Sequence, residues 1–304
     1  MIMKEVSKYL VGVDIGGTTI KTGVVNTQGE MLSKSVIDTN PGLGYQVVLD
    51  NICTQINEVC KSANISLKDT NGVGIGTPGI VDSNGTLLYS NNLGWNHAPI
   101  SKFVSEKLGV TVDVANDANA AALGEAVFGI GKDYKDVLLL TVGTGIGGGV
   151  VCDNKLLIGG NGIGMELGHH TIIKGGNVCS CGLDGCFEAY CTAIYLINHV
   201  KATLGRSMTL LEIWQNYNDV ELKPLLDEYV SNFATGTINM INIFRPQVVA
   251  IGGGISHTGD LFLNLLQKAV GERYYGAKLS DPIQFAYASL KNDAGIYGAA
   301  SLRS

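Results

Sequence analysis

The chain has 304 residues, more than one ordinary hydrophobic core supports, so we expect two domains. Its formal net charge is −6 and it contains no run of basic residues, which argues against nucleic acid as a partner. It has neither a stretch of about 18 apolar residues nor a signal region, which predicts a cytoplasmic protein with no membrane span and with reduced cysteines.

In chain order, the first part of the sequence alternates apolar strands with helical segments. Short apolar runs between turn residues predict strands, and apolar residues three and four positions apart predict helices. The predicted strands are 9–14, 20–26, 72–76 and 112–117, and the predicted helices are 43–63 and 118–127. In the first helix the apolar positions are Val47, Val48, Ile52, Ile56 and Val59, which we expect to face the core.

A related succession of elements recurs near residue 138. Residues 137–142 form an apolar strand, 143–149 a glycine-threonine turn and 149–152 a second strand, as near residue 10. The remaining predicted elements are helices at 187–203, 224–244 and 260–271 and a strand at 247–251. Interleaved strands and helices predict the α/β class, and the degenerate repeat suggests two halves built on one plan.

The turn from Asp14 to Lys21 joins two strands and has the sequence DIGGTTIK. A P-loop needs GxxxxGK[ST] followed by a helix, so this turn is of another kind. Its glycines let backbone N–H groups approach phosphate oxygens, and Asp14 at the strand end is placed to bind Mg²⁺ directly or through water. The competing interpretation is a tight hairpin with an incidental aspartate.

Two further glycine turns follow apolar strands. The turn Gly143–Gly148 contains GxGxxG but precedes a strand, so the dinucleotide-binding interpretation fails the context it requires. The turn 252–254, three glycines in a row, precedes a predicted helix and could let a nucleotide lie against the backbone. Each turn has a purely structural explanation, but three of them at strand ends favour a nucleotide site.

Five segments together resemble the ROK family of sugar kinases and repressors, most closely its bacterial glucokinases. They are residues 10–26, 116–125, 137–150, 161–188 and 248–256, and they include NDANAAALGE, GNGIGMELGHH and CSCGLDGCFEAY. The resemblance implies an actin/hexokinase-like fold of two ribonuclease-H-like domains with a central cleft, and a homodimer. We expect residues 1–117 plus about 290–304 in the smaller domain and 118–289 in the larger, which carries the zinc site.

The resemblance also implies roles for individual residues. Asp117 matches the catalytic base of an ATP-dependent hexose kinase. The residues that match ligands of the sugar hydroxyls are Asn116, Glu166, His169 and Glu188, and Asn92 lies in a loop similar to that of the glucokinases. The residues expected to bind ATP and Mg²⁺ are Asp14, Gly16, Gly17, Thr18, Thr19, Lys21, Gly143, Thr144, Gly145, Gly253 and Gly254. Thr77 departs from the glucokinase pattern, where other small or apolar residues are common.

His169, Cys179, Cys181 and Cys186 form a Cys₃His set, which is a standard tetrahedral donor set for zinc. Four protein ligands leave no open coordination position, so the predicted zinc is structural. Unligated buried cysteines are the alternative interpretation. His169 has two ring nitrogens, so one can bind zinc while the other contacts a sugar hydroxyl.

Asp117 follows a predicted strand and opens a predicted helix, a position where aspartate commonly serves as an N-cap. The residues alone leave that alternative open, and the resemblance favours the general base. Rival substrates are N-acetylmannosamine, fructose and β-glucosides. A DNA-binding repressor of the same family is the rival from another class. We do not expect a repressor, because the first glycine turn begins at Asp14 and leaves no room for a preceding winged-helix segment.

Overall fold

The computed structural model describes residues 8–304, and the chain divides by its internal contacts into two units. The first comprises the described residues up to Lys132 together with Lys155–Met165 and Asn292–Ser304, and the second comprises Asp133–Asn154 and Glu166–Lys291. Residues 1–7, which the predicted smaller domain includes, lie outside the described part. The predicted boundary between 117 and 118 stays a prediction, and the contacts place residues 118–132 with the first unit.

The strands and helices are numbered in chain order. The strands are β1 Tyr9–Ile15, β2 Thr19–Asn26, β3 Met31–Asp38, β4 Thr70–Thr77, β5 Ile80–Val81, β6 Leu87–Ser90, β7 Trp95–Ala98, β8 Val112–Asn116, β9 Val137–Val142, β10 Ile146–Cys152, β11 Lys155–Leu156, β12 Val248–Gly253 and β13 Gln284–Tyr287. The α-helices are α1 Tyr45–Ser62, α2 Ile100–Leu108, α3 Asp117–Val127, α4 Glu188–Cys191, α5 Ala193–Leu204, α6 Leu210–Gln215, α7 Leu222–Phe244, α8 Leu261–Val270 and α9 Ala294–Ser301.

In the first unit the main sheet has the order β3-β2-β1-β4-β8. β2 is antiparallel to β1, whereas β4 runs parallel to β1 and β8 parallel to β4. The helix α1 buries Val48, Ile52, Ile56 and Val59 in the core, as its spacing predicts, but Val47 is 46% exposed. The face of α1 that contacts the core is therefore rotated away from Val47.

The last helix, α9, packs on the sheet of the first unit, and glycines make that close approach possible. A Cβ on Gly12 of β1 would lie 2.1 Å from the Ile296 carbonyl oxygen, and one on Gly74 of β4 would lie 1.7 Å from the Ala299 carbonyl oxygen. α9 also packs against α3, where a Cβ on Gly298 would lie 2.1 Å from the Ala120 carbonyl oxygen. The first unit is thus completed by residues from the end of the chain.

In the second unit the sheet contains β10, β9, β12 and β13 in that order. β10 is antiparallel to β9, while β12 is parallel to β9 and β13 parallel to β12. This is the order and direction of β2, β1, β4 and β8, so the two halves share one plan, as the repeat in the sequence predicts. The helices α5, α6, α7 and α8 belong to this unit, and the predicted helix 187–203 is interrupted at Thr192, which caps α5.

Between residues 8 and 304, no helix combines the length and the apolar character that crossing a bilayer would require.

Candidate nucleotide and sugar site

The turn between β1 and β2 in the first unit is closed by backbone hydrogen bonds and supported from one side by Thr39. The Gly16 N–H donates to the Thr19 carbonyl at 2.9 Å, and the Thr39 N–H donates to the Thr18 carbonyl at 2.9 Å. The Thr39 hydroxyl donates to the Gly16 carbonyl at 2.7 Å. Gly17 and Thr18 are exposed at the tip. These hydrogen bonds fix the backbone conformation of the turn. Thr39 is a supporting residue that the sequence analysis did not identify.

Asp14 lies at the base of this turn, opposite Lys21 in the antiparallel pair. The Lys21 ammonium lies 3.4 Å from one Asp14 oxygen and donates to the Asn292 carbonyl at 3.0 Å. A Cβ on Gly295 would lie 2.3 Å from the Asp14 carboxyl carbon, so α9 closely approaches this carboxylate. Burial raises the pKa of Asp14 and Lys21 opposes that shift, so a cation bound here would favour the ionised form.

Asn116 is the N-cap of α3. Its side-chain oxygen accepts the Ala118 N–H at 3.0 Å, the Asn119 N–H at 3.2 Å and the Asn119 side-chain amide at 3.1 Å. Its own amide donates to the Gly79 carbonyl at 3.2 Å. Since Asn116 fills the capping position, Asp117 is the first residue of the helix and is not needed as the cap.

Three parallel strands of the first unit end at one edge of the sheet. Asp14 lies at the end of β1, Thr77 ends β4 opposite Asn116 of β8, and Asp117 follows directly. The carboxyl edge of a parallel sheet is the usual location of ligands in α/β proteins. Asp117 is half-buried there, and one of its oxygens accepts the Ala118 N–H at 2.8 Å. The hydroxyl of Thr77 is buried and lacks a hydrogen-bond partner in the part of the chain that the structure describes.

Asn119 connects α3 to the segment that precedes Glu166. Its oxygen accepts the Met165 N–H at 3.0 Å, and its amide donates to the Met165 carbonyl at 3.3 Å. A Cβ on Gly164 would lie 2.7 Å from the Asn119 oxygen, so this contact requires glycine. Asn119 is buried. In the sequence it is one residue of an alanine-rich helix, and nothing there indicated that it would bind Met165.

In the second unit the two remaining glycine turns adjoin each other. Gly253 pairs with Val142 across β12 and β9, and a Cβ on Gly253 would lie 2.4 Å from the Val142 carbonyl oxygen. Gly253 has a φ of +81°, a backbone conformation that residues other than glycine rarely adopt. The Gly143 N–H donates to the Gly145 carbonyl at 3.0 Å, closing the second turn. Both turns thus lie at the carboxyl edge of this sheet.

Glu188, the first residue of α4, contacts the second glycine turn. One carboxylate oxygen accepts the Ile146 N–H at 2.8 Å, and a Cβ on Gly145 would lie 2.8 Å from the same oxygen. The other oxygen accepts the Ser180 hydroxyl at 3.1 Å. Glu188 is therefore fixed at both oxygens while it stays half-buried, and Ser180 is a second supporting residue that sequence reasoning missed.

The predicted zinc ligands lie together. One ligand atom from each of His169, Cys179, Cys181 and Cys186 lies within 4.8 Å of the others. The Cys179 sulfur is 3.6 Å from His169 Nδ1, and the Cys181 sulfur is 3.7 Å from the Cys186 sulfur. Around tetrahedral zinc such atoms lie roughly 3.6–3.8 Å apart, so the donor set fits this ion. Burial raises the pKa of Cys186 to about 12, so its thiolate needs a cation nearby.

The remaining predicted sugar residues flank these features. Glu166 is exposed and precedes the short 3₁₀ turn Leu167–His169, and the His169 N–H donates to the Glu166 carbonyl at 3.2 Å. Asn92 is exposed in the first unit, where its backbone and Cβ would lie 3.7–3.8 Å from a Cβ on Gly17. Asn92 is thus beside the first glycine turn.

The structure groups the predicted residues into two sets, one in each unit. The first unit holds Asp14, Gly16, Gly17, Thr18, Thr19, Lys21, Asn92, Asn116 and Asp117. The second unit holds Gly143, Thr144, Gly145, Glu166, His169, Cys179, Cys181, Cys186, Glu188, Gly253 and Gly254.

The model of the ROK family matches residues 10–304. A glucokinase from Halalkalibacterium halodurans is 33% identical over 96% of this chain and 93% of its own length. A xylose repressor from Caldicellulosiruptor bescii is 30% identical over 96% of this chain and 77% of the repressor. Curated relatives thus include an enzyme and a regulator.

Two solved structures are similar over nearly the whole chain. A ROK hexokinase from Thermus thermophilus has a TM-score of 0.85 at 32% identity and covers 96% of this chain and 97% of its own. A ROK glucokinase from Streptomyces griseus in complex with glucose and AMPPNP has a TM-score of 0.76 at 32% identity, covering 97% and 98%. Together with the mixed sheets described above, these similarities confirm the predicted α/β fold.

Proposed function

This chain belongs to the ROK family, and on that premise we propose that it phosphorylates glucose at its primary hydroxyl with ATP as the donor. It is an ATP-dependent sugar kinase, as glucokinase relatives and the glucose–AMPPNP complex of a similar structure support. The observation that carries the proposal is the position of Asp117. Because Asn116 caps α3, the carboxylate of Asp117 at the sheet edge has no structural role as the N-cap.

In the proposed reaction Asp117 accepts the proton of the sugar hydroxyl as that oxygen attacks the γ-phosphorus of ATP. The bond between the γ-phosphorus and the bridging oxygen breaks, and ADP leaves. Phosphoryl transfer asks the protein mainly for alignment and charge stabilisation. Asn116 has a second amide hydrogen beyond the one donated to Gly79, which can bind a sugar oxygen. Glu166, His169 and Glu188 would bind further hydroxyls, and an epimer would be costly to accept because a carboxylate that the bound sugar shields from water would stay unpaired.

The nucleotide is assigned to the three glycine turns. Exposed Gly17 and Thr18 offer backbone N–H groups to phosphate, the turn at Gly143 is assigned to phosphate as well, and the adjoining turn at Gly253 is assigned to the adenosine. Mg²⁺, when bound with ATP, neutralises charge on the phosphoryl oxygens. Asp14 would hold it, and the raised pKa of this carboxyl fits a group that is completed by a cation.

We assign a structural zinc ion to His169, Cys179, Cys181 and Cys186. Its support is the donor set and the 3.6 Å and 3.7 Å spacings between ligand atoms. When bound, zinc would cross-link the loop between His169 and Cys186 and leave phosphoryl transfer to other groups. With His169 Nδ1 directed to Cys179, the ring's other nitrogen is left for a sugar hydroxyl.

The second candidate function is sugar-responsive repression, which the xylose repressor relative supports. N-acetylmannosamine, fructose and β-glucosides are the alternative substrates for a kinase. The homodimer stays a prediction of the family resemblance and the cytoplasmic location a prediction of the sequence composition, to be checked by sedimentation and by cell fractionation.

The test is an ADP-release assay with a panel of sugars and purified protein. We expect glucose to give the highest kcat/KM and N-acetylmannosamine, fructose and β-glucosides to give much less. Asp117→Asn serves as the matched inactive control, because any ADP release that survives in it comes from other enzymes. Absence of sugar-dependent ADP release from the wild-type protein contradicts the proposed function.

A further inference from the structure

The turn Gly143–Ile146 is held at both ends by one segment of the chain, residues 186–193. At one end the Ile146 N–H donates to a Glu188 oxygen at 2.8 Å. At the other end the Ala193 N–H donates to the Gly143 carbonyl at 3.0 Å. This segment begins at Cys186, a predicted zinc ligand. It therefore connects the phosphate turn, Gly143–Ile146, to the zinc loop, which runs from His169 to Cys186.

The second oxygen of Glu188 connects to the zinc loop itself. Ser180 lies between the predicted ligands Cys179 and Cys181, and its hydroxyl donates to Glu188 at 3.1 Å. One oxygen of the carboxylate therefore binds the zinc loop, and the other binds the phosphate turn. Since Ser180 is exposed and donates to no other carboxylate in the described contacts, its hydroxyl has a defined role at Glu188.

Other atoms pack closely around Ile146 and restrict the hydrogen bond between its N–H and Glu188. A Cβ on Gly145 would lie 2.8 Å from the Glu188 oxygen, and a Cβ on Gly168 would lie 2.4 Å from the Ile146 carbonyl oxygen. Ile146 is thus packed between the carboxylate and the 3₁₀ turn that carries His169. A displacement of Glu188 by more than a few tenths of an ångström would lengthen or break the hydrogen bond from the Ile146 N–H unless this N–H moves with it.

We propose that Glu188, oriented by Ser180, is a positioning residue for the nucleotide, through which the zinc loop sets the shape of the phosphate turn. This inference rests on the proposed kinase function. Glu188, which the family resemblance matches to sugar binding, thereby also controls the affinity for the triphosphate. Loss of the Ser180 hydroxyl leaves the Glu188 oxygen that it contacts with only the longer contact to the Cys179 sulfur at 3.8 Å among the described residues, so the carboxylate is held less firmly and with it the acceptor of the Ile146 N–H.

The test is calorimetric titration of the zinc-loaded protein with AMPPNP and, separately, with glucose. We expect Ser180→Ala to raise the Kd for AMPPNP about three- to ten-fold, which corresponds to the net contribution of one ordinary hydrogen bond because Ser180 acts on the nucleotide only through Glu188. Ser180→Thr keeps the hydroxyl and should restore the wild-type Kd. Ser280→Ala is the matched control, an exposed serine of the same unit that donates only to the Gly276 carbonyl.

The zinc content of each variant, measured by metal analysis, separates positioning from simple loss of the metal. A Kd for AMPPNP that rises with zinc retained, and that Ser180→Thr restores, supports the proposal. A Kd within about two-fold of wild type, or a rise that accompanies loss of zinc, overturns it. Wild-type protein that binds no AMPPNP contradicts the proposed function instead, so the two failures are distinguishable.

Discussion

Replacing Asn116 by alanine should destabilise the first unit by an amount that its hydrogen bonds define. The side chain accepts from Ala118, from the backbone of Asn119 and from the Asn119 amide, and it donates to Gly79. Loss of an N-cap costs about 1 kcal/mol, and loss of the partner of the Gly79 carbonyl costs about as much again. The expected total is about 2 kcal/mol.

Asn116→Asp separates the capping bonds from the donated one. Aspartate keeps an acceptor for the N–H groups at the helix N-terminus, where a negative charge is favourable. It cannot donate to the Gly79 carbonyl and it stands beside the carboxylate of Asp117. We therefore expect a loss of about 1 kcal/mol, half that of the alanine variant.

The assay is scanning calorimetry of both variants, with Asn96→Ala as an exposed asparagine of the same unit for control. For a unit of about 150 residues, about 2 kcal/mol corresponds to a fall in Tm of about 4–8 °C, and Asn116→Asp should fall about half as far. An alanine variant that melts within about 1 °C of wild type refutes the capping argument. Equal losses in the two variants would show that the acceptor bonds contribute nothing.

Three further predictions concern the base, a buried hydroxyl and the metal. Asp117→Asn should lower kcat by roughly 10²–10⁴, measured by ADP release, and lower Tm by at most about 4 °C, since the amide keeps an acceptor for the Ala118 N–H but loses the charge at the helix N-terminus. Near-native turnover would exclude Asp117 as the base. Thr77→Val should raise the free energy of unfolding by about 1 kcal/mol in urea denaturation, because it removes a buried hydroxyl that has no hydrogen-bond partner among residues 8–304. A loss of stability would show that the hydroxyl is bonded. Chelation of zinc should abolish activity and expose the loop between His169 and Cys186 to protease, and full activity after verified removal of zinc would contradict the scaffold role.

Much of the fold was predictable because it rests on local patterns. The strands β1, β9 and β12 are apolar runs that end in glycine turns, and the partial repeat of strand, turn and strand predicted two halves built on one plan, which the shared strand order of the two sheets confirms. The clustering of His169, Cys179, Cys181 and Cys186 was predictable, since cysteine and histidine are rare and their side chains have few other reasons to cluster, whereas the zinc ion itself stays a prediction. The structure places their ligand atoms within 4.8 Å of one another.

The supporting residues were not predictable, because their roles depend on partners far away in the sequence. Thr39 holds a turn that lies 20 or more positions earlier, and Asn119 binds Met165. Neither residue type nor spacing distinguishes them from ordinary threonines and asparagines. The identity of the cap was equally hidden, since Asn116 and Asp117 are both good capping residues and only the geometry of the helix decides between them.

The position of α9 has a consequence for synthesis of the protein. Gly12 and Gly74, on β1 and β4, lack side chains so that a helix from residues 294–301 can contact their backbone. While the ribosome is still translating the second unit, that surface of the first sheet has no helix to cover it. The first unit therefore cannot reach its final packing until residues 294–301 have been made, so this face of its sheet stays uncovered while the second unit is synthesised.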